Sequence, residues 1–181
     1  MKATGIVRRI DDLGRIVIPK EIRRTLRIRE SDPLEIFTSH EGEIILKKYS
    51  PIGEMTTFAR QYAESLAQVS GHAALIADRD QFIAVSGGYK NYMNKSVGHA
   101  LEEKMNNRET IMASKGDRSF IPISEELMEE YAHEGITPIL SEGDVIGAVV
   151  LLESEPRNKM GEVEQKLILS AAGFLGRQME Q

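Results

Sequence analysis

The first fifty residues carry more aliphatic side chains than a sheet built from them can cover. Ile6, Val7, Ile10, Ile16, Val17, Ile18, Leu34, Ile36, Ile44, Ile45 and Leu46 fall in four segments: GIVRRI (5–10), RIVIP (15–19), PLEIFT (33–38) and EIILKK (43–48). Each reads as a short strand, with turn residues at Asp11-Asp12-Leu13-Gly14 and at Glu41-Gly42. One small sheet buries one face, and about fifty residues enclose too little apolar surface to be stable alone. The simplest arrangement that hides the surplus is a dimer in which strands from two chains form a common barrel.

The same segments are cationic. Pro19 closes the second strand, and its fixed φ suits the first turn of a helix, here KEIRRTL. At about 100° per residue, Ile22 and Leu26 share one side of that turn, and Lys20, Arg23, Arg24 and Arg27 cluster on the other. Arg8 and Arg15 come from the neighbouring strands. Residues 1–29 hold nine Lys/Arg against three Asp/Glu. Residues 1–53 hold eleven against eight, and residues 54–181 hold twelve against twenty. A basic head on an acidic body points to different partners for the two parts.

A solvated surface helix is one reading of the basic face. Two features favour a polyanion instead. Five of the six cations in GRIVIPKEIRRTLRIR (14–29) are arginine, whose planar fork suits phosphates and guanine edges. Almost nothing acidic lies beside them in the sequence, so the face repels itself until an anion approaches.

DLGRIVIPKEIRRTLRI resembles the signature of the AbrB-type swapped-hairpin domain of bacterial transition-state regulators and some antitoxins. The Gly-Arg turn, the Ile-Pro-Lys step and the Arg-Arg pair occur in order. The resemblance covers residues 1 to about 50. It implies a head whose hairpins interleave between two chains and present arginines to double-stranded DNA. Arg8, Arg15, Arg23 and Arg24 are then the main contacts, with Arg9, Lys20 and Arg27 as helpers.

At YSPIGEM (49–55) Ser, Pro and Gly interrupt the pattern and a helical period begins, which sets domains at 1–53 and 54–181. In EMTTFARQYAESLAQV (54–69), Met55, Phe58, Tyr62, Leu66 and Val69 form a narrow apolar stripe. It suits a helix that pairs with another helix, or one lying on its own sheet. HAALIAD (72–78) and FIAVSG (82–87) read as strands around Arg79-Asp80-Gln81, with Asp78 and Asp80 solvated at the turn. A helix follows over 96–107. TIMAS (110–114), FIPIS (120–124) and GITPIL with VIGAVVLLES read as further β segments, and ISEELMEEYA (123–132) as a short helix or loop. The closing helix, 159–179, carries Met160, Val163, Leu167, Ile168, Ala171, Phe174, Leu175 and Met179 within an arc of roughly 180°, wider than one buried surface requires.

This order of elements is an α+β layer architecture and resembles a GAF domain, the small-molecule sensor module. The resemblance implies regulation, through assembly or through an unknown small molecule seated near residues 92–105. Cyclic-nucleotide members carry Asn-Lys and then Phe-x-x-x-Asp-Glu. Asn94-Lys95 and FIPISE (120–125) follow that pattern with Ser124 in place of Asp, so nucleotide binding is not expected.

Catalysis is not expected either. His40, His72, His99 and His133 lack metal-ligand spacing, VSGGYK (85–90) lacks phosphate-loop spacing and reads as a hairpin turn, and no Ser/His/Asp set stands out. No cofactor or metal is implied. The N-terminus has no apolar signal-peptide core, runs such as IGAVVLL (146–152) are too short for a bilayer, and cysteine is absent. A cytoplasmic protein without a membrane partner is expected.

The expected fold is therefore α+β throughout: a dimeric swapped-hairpin β-barrel head and a GAF-like body. The expected function is a sequence-specific transcription regulator, activator and repressor, acting in sporulation as the resemblance implies. Heads would pair into dimers and bodies into a tetramer. Two rivals share the head: an antitoxin-type autoregulator, and a signalling protein whose head only dimerises.

Overall fold

Residues 4–54, 56–127 and 130–180 are described by a computed structural model. The chain divides between Tyr49 and Ser50 into two units, four residues before the boundary read from the sequence. The reason is local packing: Ile52 is 1% exposed and belongs to the core of the second unit.

In the first unit, β1 (Leu34–Thr38) and β2 (Ile44–Lys48) pair antiparallel, with Phe37 opposite Ile45. Their turn is closed by Ser39 N–H to the Glu43 carbonyl and Gly42 N–H to the Ser39 carbonyl. Helix α1 is a short one, Lys20–Thr25. The two strands expected at 5–10 and 15–19 are not strands here. Only their turn forms, through Asp11 N–H to the Arg15 carbonyl and Gly14 N–H to the Asp11 carbonyl, both 3.0 Å. An isolated two-stranded hairpin is marginal in water. In a single chain, Val7 is 88%, Val17 73% and Ile10 63% exposed, so nothing covers this one.

The second unit is built on one antiparallel sheet in the order β4-β3-β7-β6-β5. Its elements are α2 (Pro51–Glu54), α3 (Thr56–Ser70), β3 (Ala73–Asp78), β4 (Phe82–Ser86), α4 (His99–Asn106), β5 (Ile111–Ser114), β6 (His133–Ser141), β7 (Asp144–Glu153) and α5 (Glu162–Gln178). Strand side chains alternate between two cores. Ala74, Ile76, Val149 and Leu151 face α3 and α5; Leu75, Ala77, Val150 and Leu152 face α4 and the loops beside it. A strand covered on both faces reads as a continuous apolar run, as in IGAVVLL.

Three further expectations change. FIPIS (120–124) is a loop among the described residues: Ile121 N–H donates to Glu134 Oε1 at 2.8 Å and Ile123 N–H to the Tyr131 hydroxyl at 3.3 Å. Side chains there take the bonds a neighbouring strand would supply. VSGGYK does not turn back as a hairpin but leads into a single 3₁₀ turn, Lys90–Tyr92. Gly87 has φ 76°, and a Cβ on it would lie 3.0 Å from the His72 carbonyl oxygen. Asp78, expected in solvent, is 6% exposed. ISEELMEEYA, expected as a short helix or loop, is a loop at its described positions; residues 128 and 129 lie outside them.

The space near 92–105 is occupied by the chain itself. Tyr92, Leu101 and Met105 are buried there with Phe82 and Tyr131. Rings run in contact from Phe82 through Tyr92, Tyr89 and Tyr131 to Phe120, with centroids 5.2–6.3 Å apart.

Candidate nucleic-acid interface and assembly surface

The basic face is assembled around two local devices, a turn and a helix end. In the turn, Asp11 Oδ1 accepts the Leu13 and Arg15 N–H groups at 3.1 and 2.8 Å. Its Oδ2 accepts Arg15 Nε at 2.9 Å. The Arg15 N–H most of all, with the Arg15 guanidinium and the Leu13 N–H, holds the Asp11 carboxyl below the usual carboxylate range. Sequence reasoning missed this pairing, although an Asx turn before Gly14 was its available signal. Arg15 thus enters any anion contact already oriented, with part of its charge opposed.

At the helix end, Ile28 N–H bonds back to the Arg23 carbonyl at 2.7 Å and Arg27 N–H to the Arg24 carbonyl at 3.3 Å. This pair of bonds is a Schellman closure, and Arg27 occupies its left-handed position with φ 52°. Glycine is the usual occupant because a Cβ there costs about 1–2 kcal/mol. Arg27 therefore lies past the end of α1, not on its regular face, which corrects the single-face picture. Lys48 Nζ donates to the Arg27 carbonyl at 2.8 Å, tying the segment to β2. Arg23 and Arg24 sit in the last turn of α1, where cations also complement the helix dipole.

Exposure agrees with availability. Arg8, Arg9, Arg15, Lys20, Arg24 and Arg27 are exposed, and Arg23 is half-buried. Arg8 and Arg9 lie on the extended segment before the turn and the others at or after it. The sequence had also left Lys47 unassigned; it lies over the Phe37 ring, 4.7 Å from its centroid.

On the second unit, α3 and α5 lie side by side on one face of the sheet. The sequence took the large residues of α3 as its stripe, yet the residues packed inward are Ala59, Ala63, Leu66 and Ala67. Small side chains let the helix approach the sheet. Gly176 does the same for α5, since a Cβ there would lie 1.9 Å from the Leu140 carbonyl oxygen. Leu66, Ala171 and Leu175 are thus buried in the chain's own core and are withdrawn as partner contacts. Leu167 packs against that core, and Met55 lies outside the described residues.

At the rim of that core, where Phe58 and Tyr62 are half-buried against it, lies an apolar strip. Phe174 stacks on Tyr62 at 5.4 Å and lies 5.9 Å from Phe58, so one ring bridges the two helices. Val69, Val163 and Phe174 are exposed, as is Leu169, which sequence reasoning had not selected. Elsewhere two histidines are buried in the second unit: His72 Nδ1 lies 2.7 Å from Glu153 Oε2, and His133 meets Ser114 Oγ and the Pro156 carbonyl. No helix among the described residues is long and apolar enough to cross a membrane.

Residues 54–180 match the family described as stage V sporulation protein T C-terminal, transcription factor. Residues 7–54 match the family described as antidote-toxin recognition MazE, bacterial antitoxin. The chain is 55% identical to stage V sporulation protein T of Bacillus subtilis, with both chains covered in full. It is 65% identical over 51 residues to the transition state regulatory protein AbrB of the same organism, covering 28% of this chain and 52% of that one. Among solved structures, the GAF domain of an Acinetobacter phosphoenolpyruvate-protein phosphotransferase superposes with TM-score 0.57 at 15% identity, covering 69% of this chain and 81% of its own. The corresponding domain from Coxiella burnetii gives 0.55 at 16% identity, covering 69% and 82%. These last two likenesses establish a GAF-like fold for the C-terminal part.

Proposed function

The chain belongs to the stage V sporulation protein T family and is a sporulation transcription regulator; we propose that its head binds double-stranded DNA as an interleaved dimer and that its body joins such dimers into a tetramer. The observation that carries the reading is the exposed hairpin of the head. Val7, Ile10, Ile16 and Val17 face solvent on the same two segments that carry Arg8, Arg9 and Arg15. Burying one such aliphatic side chain contributes about 1.5–3 kcal/mol, so a second copy that covers several of them stabilises the pair decisively. The covered hairpins then form the swapped barrel, and the arginines stay on its outside.

In the dimer, Arg8, Arg15, Arg23 and Arg24 make the principal DNA contacts, and Arg9, Lys20 and Arg27 support them. Phosphate contacts supply most of the affinity, while base edges and DNA shape supply specificity. Selection of bound duplexes from a random pool tests this: a two-fold symmetric site is expected. Recovery of no enriched sequence would count against specific binding.

For the body, assembly is better supported than sensing. The exposed Phe174, Val163 and Val69, beside half-buried Phe58 and Tyr62, form a rim that joins two helices and suits the same rim of a second body. The region near 92–105 is filled by buried side chains, so a ligand would have to displace Tyr92 or Met105. A metabolite panel is expected to leave the melting temperature unchanged. The antitoxin reading is disfavoured by the folded five-stranded unit that follows the head.

A further inference from the structure

Only three acidic residues fall among the first 29, and two of them, Asp11 and Asp12, stand between the arginines of the basic face. A carboxylate there opposes any polyanion that its neighbours attract. The charge of Asp11 therefore needs a reason, and making the turn is not one. Its Oδ1 accepts the Leu13 and Arg15 N–H groups, and Gly14 supplies the left-handed residue with φ 77°. A neutral asparagine builds such a turn as well. Stabilising the head is not a reason either. The pair leaves the Arg15 and Asp11 side chains 68% and 37% exposed, and ion pairs so open to water add little.

What the carboxylate alone supplies is a second anionic oxygen. Oδ2 accepts Arg15 Nε at 2.9 Å while two backbone N–H groups hold Oδ1 at 3.1 and 2.8 Å. The backbone fixes the carboxylate, and the carboxylate fixes the guanidinium. All these bonds lie within residues 11–15, so the device forms from local sequence alone. A guanidinium has five N–H donors, one on Nε and four on the two Nη atoms. Among the described residues the Arg15 side chain bonds to Asp11 alone, so its Nε is used and its Nη1–Nη2 edge stays open. That edge is a flat pair of donors that matches guanine O6 and N7. A phosphate rewards charge, which Asp11 opposes; a base edge rewards direction, which Asp11 provides.

We propose that Asp11 is a positioning residue for sequence recognition: it aims the open edge of Arg15 at a guanine in the major groove. Arg15 then sets base preference where Arg23 and Arg24 neutralise phosphate. This rests on the reading that the head binds DNA, and the test separates the two.

Full-length parent, Arg15→Ala and Asp11→Asn are each taken through selection from a random duplex pool, then titrated against the parent's selected site and an unrelated duplex. Both side chains are exposed, so neither substitution opens a core. Parent selection should return a guanine in each half-site that Arg15→Ala no longer requires. Asp11→Asn keeps one oxygen for the two N–H groups, on a neutral amide that holds them less tightly, and sets an NH₂ where Arg15 Nε needs an acceptor. It should lose preference for that same guanine by about five-fold or more and keep the others. Its binding to the unrelated duplex should tighten, with a salt slope steeper by up to about one unit, because the released guanidinium can neutralise a phosphate. A turn-building role alone would weaken all positions together and leave the slope no steeper. Parental base preference in Asp11→Asn, or a loss spread evenly over the site, overturns the proposal. So does a slope that falls by about one unit in Arg15→Ala, which would make Arg15 a phosphate contact. If no protein enriches a sequence, the functional reading itself fails; if the parent does and Asp11→Asn matches it, only this proposal fails.

Discussion

An arginine in the left-handed region, as at Arg27, opposes the backbone preference by about 1–2 kcal/mol where glycine would relieve it. Arg27→Gly is expected to leave the melting temperature unchanged or higher while weakening DNA binding. Equal affinity for the variant would show that the side chain is not used. Arg23 and Arg24 make the complementary case, since neither sits in a strained conformation. Replacing both by alanine should lower affinity by orders of magnitude and flatten its dependence on salt. The slope should fall by about one unit for each phosphate that the protein no longer neutralises. A folded double variant with parental affinity across salt concentrations would contradict their assigned role. Arg15 differs from both because Asp11 holds it. Asp11→Asn frees its charge but loosens the turn that aims it.

Helices α3 and α5 show how an element divides its surface. Alanines pack inward, aromatics are displaced to the rim, and the rim becomes available to a second copy. Phe174→Ser should therefore convert tetramer to dimer in light scattering with little loss of body stability, because Ile168, Ala171 and Leu175 supply the core. A tetramer that persists would place the seam elsewhere. The end of β7 gives a pH prediction. Burial pulls the Glu153 pKa upward, but the Glu155 N–H, His72 and Asn158 more than offset it, leaving the carboxyl below its ordinary range. A depressed folded pKa adds stability above the unfolded value, and that gain is lost as pH falls through the folded one. The melting-temperature gap between parent and Glu153→Gln should thus be full near neutral pH and shrink below about pH 4.3.

For the whole molecule the expected particle is four chains of 20.2 kDa each, with two head dimers presented together. Linked sites raise affinity by about 10²–10⁴ when both reach the same DNA. Binding to an operator with two sites should therefore exceed binding to one site by at least about a hundred-fold, measured with the full chain. Equal affinities for the two operators would mean that the second head dimer does not engage. The acidic body has a part in this arrangement. Twelve Lys/Arg against twenty Asp/Glu in residues 54–181 repel the phosphate backbone, leaving the head as the contacting surface.

Local rules were enough for much of this chain. Turn residues between PLEIFT and EIILKK set the β1–β2 hairpin, and the apolar run of VIGAVVLLES marked a strand, whose central place the sheet order supplied. Proline followed by clustered arginines marked α1 and its basic character. Each depends on residues a few positions apart. Four features depended on distant partners and could not be read so. Which side of α3 faces the sheet was decided by how closely the helix packs, which favoured alanine over phenylalanine. Asp78 is buried, and its carboxylate meets the hydroxyl of Ser50, far away in sequence. FIPIS forms no strand because Glu134 and Tyr131 bond its backbone first. Residues 5–19 carry strand chemistry without a strand, since no described strand of the chain pairs with them. Periodicity encodes which side chains seek burial; only the tertiary structure decides which surface receives them, because burial requires a partner that periodicity does not specify.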